Sequence, residues 1–97
     1  MEVCRVVGQA VSTVKEPGLR ACKLLIVTPC GPNGEATGDL FVATDTVGAG
    51  EHELVLVVRG SAARATQRTQ DAPTDASIVG ILDSLSVDGE SSYRKNP

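Results

Sequence analysis

The residues in this sequence that could do chemistry are few and far apart. The chain holds one histidine, His52, which stands between two glutamates in the setting of a solvated turn residue. Its three cysteines, Cys4, Cys22 and Cys30, are widely spaced and form no Cys-x-x-Cys pair of the kind that binds zinc or exchanges disulfides. We therefore expect Cys4 and Cys22 to be small buried apolar side chains. We expect no catalytic residue, no metal and no cofactor.

Carboxylates and glycine-rich segments do not complete a site either. Asp45, Asp75 and Asp83 could meet in space, but strand ends and turns are commoner places for aspartate. The Gly-x-Gly of residues 48–50 lacks the third glycine, the helix start and the βαβ setting of a dinucleotide site. Residues 31–35 lack the lysine and hydroxyl residue of a P-loop. The sequence points away from catalysis.

Length and composition predict one small, mildly acidic domain. Twelve acidic residues against nine basic ones give a net charge of −3, which disfavours a nucleic-acid surface because such surfaces are basic. Barrels that bind single strands stack bases on aromatic rings, and this chain has only Phe41 and Tyr93. Glu2 near the start and the lack of a long apolar run predict neither a signal peptide nor a membrane span. We expect a cytoplasmic protein that binds neither nucleic acid nor membrane.

Apolar runs bounded by turn signals predict five strands and one short helix. The strands are predicted over residues 3–14, 22–28, 40–47, 54–59 and 76–87, with a turn over residues 16–18 and a helix over residues 61–68 whose N-cap is Ser61. Gly8 and Gly80 interrupt the first and last strands, as glycine does at bulges and barrel corners. This pattern favours an all-β, five-stranded OB-like barrel, with the helix between strands 4 and 5. We expect one domain over residues 1–88 and a polar, flexible tail over residues 89–97.

The stretch over residues 45–64 organises the rest of the chain. A turn with two glycines, Gly48 and Gly50, leads into an apolar strand that ends at residues 60–64. Residues 48–50 carry no side chain larger than a methyl group, although exposed turns usually contain Asn, Asp or Ser. We therefore expect another backbone to pack against this turn. The alternative is a purely local need for positive φ at one or both glycines.

Taken in order, the motifs resemble the pentameric vertex proteins of bacterial microcompartment shells, the family of carboxysomes and ethanolamine-utilisation compartments. The matching motifs are Val6-Val7-Gly8 with Ala10-Val11, then Lys15, residues 23–27, residues 45–50, residues 55–58, residues 60–64, Pro73, and residues 75–76 and 78–83. They cover the chain to about Leu85 in the family's order and spacing. Three features depart from the pattern: residues 28–31, Thr74 where valine is commoner, and Cys4 where glycine is frequent.

The resemblance implies a non-enzymatic homopentamer that fills the five-fold corners of a cytoplasmic shell whose facets are tiled by hexameric and trimeric shell proteins. The residues expected to contact other subunits or shell proteins are Asp45, Val47, Gly48, Ala49, Gly50, Glu51, Ser61, Ala62, Arg64 and Asp75. Two alternatives stay open. One is a monomeric OB-type module that binds a ligand or nucleic acid, and the other is a thiol-dependent or metal-binding enzyme that uses the three cysteines and His52.

Overall fold

A closed barrel of five strands forms the body of the protein, as the sequence predicts. The computed structural model describes residues 1–11, 22–67, 69–70 and 73–96. In chain order its elements are β1 (Glu2–Ala10), β2 (Lys23–Pro29), β3 (Phe41–Asp45), β4 (Leu54–Arg59), a 3₁₀ helix (Gly60–Arg64), β5 (Ala76–Ile81), β6 (Ser84–Val87) and β7 (Glu90–Arg94). The predicted turn over residues 16–18 lies outside the described residues.

The barrel runs in the order β1-β2-β3-β5-β4 and closes where β4 pairs with β1. All its pairs are antiparallel except β3 with β5, a short parallel contact that joins Thr44 to Ser77 and Asp45 to Ile78. Closure removes the free sheet edges on which open sheets aggregate. Any contact with another molecule must therefore use the outer face of the barrel, its loops or the chain outside it.

Two bulges bend the strands where glycine predicts a bend. The register of β1 against β2 shifts between Val6 and Gly8, and that of β4 against β5 shifts between Leu56 and Val57. Leu56 pairs with Gly80, and a Cβ atom at Gly80 would lie 3.5 Å from Leu56 Cδ1. Because a bulge increases local twist and bends its strand, these two positions help so few strands to close.

The barrel interior is filled by small and medium aliphatic side chains. The core cluster consists of Cys4, Val6, Leu25, Val27, Ala43, Ala49, Val55, Val57, Ala76 and Ile78. Cys4 and Cys22 are 0% and 4% exposed, which confirms the prediction that both are buried. At one end of the barrel the Arg59 guanidinium lies 3.6 Å from the centroid of the Phe41 ring and its Nη2 lies 2.9 Å from Glu2 Oε1. The cation–π contact and the ion pair together cover that end of the core.

The helix between β4 and β5 is shorter than predicted and of a different kind. It is a 3₁₀ helix that begins at Gly60, and its N-cap residue is Arg59 with no side-chain cap bond, so the prediction of Ser61 as N-cap is wrong. The Ala63 carbonyl accepts the hydroxyls of Ser77, at 2.6 Å, and Thr69, at 2.7 Å. Because two side-chain hydroxyls donate hydrogen bonds to this carbonyl, it needs no N–H donor from a further helical turn. Arg68, the predicted last residue of the helix, is not among the described residues.

The end of the chain also differs from the prediction. The strand expected over residues 76–87 is divided into β5 and β6, and β7 lies within the tail that was expected to have no regular structure. Asp88 and Gly89, both with positive φ (53° and 81°), turn the chain between β6 and β7. Positive φ at both central residues is what a two-residue hairpin turn requires, and Asp-Gly is a preferred pair for it. We call β6 and β7, with the turn between them, the C-terminal hairpin.

Other predicted boundaries differ by a few residues. β4 matches its predicted range, whereas β1 ends at Ala10 and β3 at Asp45, both earlier than expected. β2 begins and ends one residue later than its predicted range of residues 22–28. Among the described residues, no helix is long and apolar enough to cross a membrane.

Candidate assembly surface

Asp45 builds the turn that follows β3. Its carboxylate accepts backbone N–H groups from Val47 (3.0 Å), Gly48 (3.2 Å) and Ala49 (3.0 Å). The side chain is 3% exposed, so it cannot itself be a broad contact for another molecule. Bonds to a carboxylate are stronger than neutral ones, and the three of them end the strand and fix the course of the next four residues. Asp45 therefore positions the turn.

The small residues at positions 48–50, which we expected to pack against another backbone, have different surroundings from one another. Gly48 is exposed at φ +80°, and a Cβ atom there would find none of the described residues within 4 Å. Ala49 points the other way: it is 1% exposed and belongs to the barrel core. Its small size is thus explained inside the subunit, and the expectation that an outside backbone requires it is wrong. Gly50 is half-buried, and its N–H donates to Glu53 Oε1 at 2.6 Å.

The remainder of the turn presents side chains to solvent. Val47 is 39% exposed, and Glu51 and His52 are both exposed. His52 has φ 72° and donates its N–H to the Val6 carbonyl at 2.7 Å. Positive φ is uncommon outside glycine, so this loop keeps a conformation that its surroundings must enforce. The sequence predicted a solvated turn role for His52, and its exposed position in the turn agrees with that.

The second group of expected contact residues lies around the 3₁₀ helix. Ser61, Ala62 and Arg64 are exposed, as is Asp75. The N–H of Gly60 donates to the Asp75 carbonyl at 2.8 Å. The helix and Asp75, fifteen residues apart in the chain, are therefore brought together.

Thr74 connects this second group to the end of β3 by hydrogen bonds, a role that the sequence did not predict. Thr44 Oγ1 donates to Thr74 Oγ1 at 2.8 Å, and Thr74 Oγ1 donates to the Ala76 carbonyl at 2.9 Å. Arg64 Nη1 also reaches the Thr74 carbonyl, at 3.4 Å. The signal in the sequence is the departure already noted, a threonine where valine is commoner. Its hydroxyl supplies a buried link between the two loops that valine could not make.

Two of the cysteine thiols have raised pKa values. Burial raises the pKa of the Cys4 thiol to about 12, and the nearby Glu2 carboxylate adds to the rise. Burial also raises the pKa of Cys30, with a partial offset from the Arg5 guanidinium. A thiol is a nucleophile only as the thiolate, so neither cysteine is activated at neutral pH. In the part of the chain that the structure describes, no three His, Cys, Asp or Glu side chains are placed to hold a metal ion.

Both aromatic rings are engaged by the protein's own chain. Arg59 lies over the ring of Phe41, and Tyr93 packs beside Gly34, where a Cβ atom would lie 3.9 Å from Tyr93 Cδ2. A surface that binds single-stranded nucleic acid offers rings for stacking together with a basic groove. This arrangement disfavours the nucleic-acid alternative.

Comparisons of the sequence and of the structure with known proteins agree with one another. The family model described as "Ethanolamine utilisation protein EutN/carboxysome" matches residues 1–83. The carboxysome shell vertex protein CcmL of Thermosynechococcus vestitus is 46% identical over 95 residues, which cover 98% of this chain and 96% of that protein. The solved structure of Gloeobacter violaceus CcmL aligns with a TM-score of 0.92 at 40% identity, over 100% of both chains. The GrpN pentameric microcompartment shell protein of Rhodospirillum rubrum aligns with a TM-score of 0.77 at 38% identity, over 90% of this chain and 98% of its own.

Proposed function

This chain belongs to the EutN/carboxysome family of microcompartment proteins, and from that membership we propose that it is a structural protein that caps the vertices of a microcompartment shell as a cyclic homopentamer. The observation that carries the proposal is the close structural likeness to a relative described as a pentameric shell protein. The pentamer would lie in the bacterial cytoplasm, within a shell whose facets consist of hexameric and trimeric shell proteins. No catalytic step is part of this role.

The physical character of the subunit supports assembly. A barrel this small leaves apolar side chains outside, and Leu40 and Val42 are 63% and 47% exposed. Contacts between copies must join two different surfaces of the chain, because only such head-to-tail contacts close a five-membered ring. The closed barrel has no free sheet edge to add strands to, so contacts made by the barrel itself consist of side chains and loops.

We propose further that the two loops described above form part of the contact surface. Val47, Gly48 and Glu51 on one loop, and Ser61, Ala62, Arg64 and Asp75 around the 3₁₀ helix, are exposed and would meet a neighbouring subunit or shell protein. Asp45, Ala49 and Gly50 would hold the first loop from inside. The open space over Gly48 supports this, because its own chain does not fill it.

Light scattering of the purified protein tests the pentamer directly. We expect a mass five times the 10.0 kDa of one chain at micromolar concentration. A monomer mass would favour the alternative of a solitary ligand-binding barrel, and a hexamer mass would contradict the five-fold ring. Coexpression with facet proteins, with and without this chain, then tests the vertex role: electron microscopy should show closed shells only when it is present.

A matched pair of substitutions tests the loop surface. Gly48 and Gly89 both have φ near +80°, and a Cβ atom at either would meet nothing within 4 Å in the part of the chain that the structure describes. Asparagine tolerates this conformation, so Gly48→Asn and Gly89→Asn should cost similar, small amounts of folding stability. Gly48→Asn should weaken ring formation or shell closure, whereas Gly89→Asn at the hairpin tip should not. Equal behaviour of the two variants would remove Gly48 from the contact surface.

A further inference from the structure

We propose that the cleft between the C-terminal hairpin and the barrel receives the outer side of β3 from the next copy of this chain. The inference rests on the proposed pentamer and adds to it a named pair of contact surfaces. It concerns residues that the sequence analysis did not include among the contact residues.

Among the described residues, few contacts support the hairpin along most of its length. β6 and β7 pack mainly against each other, and the molecule measures 43 Å along its long axis against 23 Å across. Every residue from Ser86 to Ser91 is exposed. A two-stranded hairpin alone is at best marginally stable in water, so an extended hairpin of this kind needs a surface to pack on.

The hairpin is anchored at its base. Lys95 Nζ lies 2.5 Å from Glu53 Oε2, and the Lys95 N–H donates to the Asp83 carbonyl at 2.8 Å. Tyr93 lies beside Gly34. These contacts hold the hairpin at a defined place against the barrel and leave an open space between them.

That open space is an apolar cleft of about 280 Å³. Its lining consists of Val3, Cys30, Gly31 and Pro32 on the barrel side and Leu85 and Val87 on the hairpin. Val87 is 48% exposed and Leu85 is half-buried. A cleft with aliphatic walls is suited to one or two aliphatic side chains from another molecule.

The chain carries a matching convex surface on another side. Leu40, which immediately precedes β3, and Val42, within it, are both exposed. β3 is two strands away from β1 in the barrel, so this surface faces away from the cleft at Val3. Two complementary surfaces that face different directions form a head-to-tail contact, which is the kind that closes rings.

The charges beside the two surfaces are also complementary. Arg5 lies near Cys30, which lines the cleft. On the other surface, Asp39 precedes Leu40, is exposed and takes part in no ion pair within the described ranges. An acid beside one aliphatic surface and a guanidinium beside the other would favour one docking orientation.

The match of the family model ends at residue 83, before the hairpin, whereas the alignment with Gloeobacter violaceus CcmL covers the whole chain. The contact of the hairpin would add to those made by the barrel. We expect its loss to weaken the ring without abolishing it.

Three variants and a control test the contact. Val87→Lys places a charge in the cleft, Val42→Glu places one on the outer side of β3, and the double variant offers the two charges to each other. Ser86→Lys is the control, since Ser86 is exposed on the same strand but does not line the cleft. Ring dissociation is followed by native mass spectrometry on dilution, and circular dichroism at fixed protein concentration confirms that each variant is folded.

We expect each single variant to raise the concentration at which the ring dissociates by about tenfold or more, since an unpaired charge in an apolar contact costs more than 1.4 kcal/mol. The double variant should recover part of the loss, and Ser86→Lys should match the parent. Rings that dissociate alike in Val87→Lys and Ser86→Lys, or a double variant no better than the sum of the singles, would overturn the inference. So would normal rings with defective shells, because the occupant would then be another shell protein. A parent protein that is not a pentamer would instead contradict the proposed function.

Discussion

The barrel and the C-terminal hairpin use the same antiparallel pairing, but their order has different sources. In the barrel, Val27, Val57 and Ile78 are fully buried against one another, and every strand has two neighbours. In the hairpin each strand has one neighbour, and Val87 is half exposed. The barrel is therefore fixed by its interior, whereas the hairpin depends on a few anchors and on whatever covers it. This contrast separates what the subunit needs in order to fold from what it offers for assembly.

The largest expected effect is on the barrel, from Asp45→Ala. This change removes a buried carboxylate that accepts three backbone N–H groups, and it leaves those donors without partners. We expect the free energy of unfolding to fall by about 3–5 kcal/mol, because bonds to a charged group contribute more than neutral ones and orphaned donors add a penalty. Urea denaturation followed by circular dichroism, at fixed protein concentration, measures the change.

Glu35→Ala is the control for this prediction. Glu35 is exposed and lies outside the proposed contact residues, so its loss should change the stability by no more than about 0.5 kcal/mol. Equal losses in the two variants would mean that the carboxylate of Asp45 does not organise the turn from inside.

A smaller loss is expected from Ala49→Leu. Ala49 is enclosed by the core of its own barrel, so the larger side chain should overpack it and cost about 1–3 kcal/mol. Ala36→Leu adds the same atoms at an exposed site outside the proposed contact residues and should stay within about 0.5 kcal/mol. Thermal unfolding of both variants, with oligomer mass measured beside it, checks the pair. A stable Ala49→Leu subunit that fails only in assembly would return this residue to the contact surface.

The barrel was predictable because its signals are local and mutually consistent. β4 matches its predicted range, because a short apolar run between two glycine-containing turns favours a buried strand. Gly8 and Gly80 both mark observed bulges. The wrong prediction for Ala49 also has a cause in its immediate sequence neighbours. Ala49 lies between two glycines, and no pattern in the sequence shows that its methyl group turns into the core.

The strand β7 was not predicted because the polar composition of residues 89–97 was given more weight than the turn signal before them. Asp88-Gly89 is a strong hairpin signal, but the polar residues after it read as solvated chain. The anchor between Glu53 and Lys95 joins residues 42 positions apart, and the sequence alone does not indicate that pairing. The pairing of Thr44 with Thr74 is of the same kind, because it depends on which loops the closed barrel brings together.

The smallest expected effect concerns the hairpin's anchor and its dependence on pH. The hydrogen bond from Lys95, followed by that from the Gly50 N–H, holds the pKa of Glu53 below its ordinary value. Ionised Glu53 therefore stabilises the docked hairpin above its ordinary pKa of about 4.3, and this contribution is lost as the pH falls through the lowered value. The bond from Glu53 raises the pKa of Lys95, so the lysine's contribution is complete below about pH 10.4 and is lost above that as the pH rises through the raised value.

Tyr93 is the only tyrosine and the chain has no tryptophan, so its fluorescence reports on the hairpin. Acid titration should change this fluorescence before the far-ultraviolet circular dichroism of the barrel changes. In Lys95→Met, which lacks the ion pair to Glu53, this acid-induced fluorescence change should be much smaller or absent. If the two proteins titrate alike, or if fluorescence and circular dichroism change together, the hairpin is part of the barrel's cooperative unit and the contrast between the two regions does not hold.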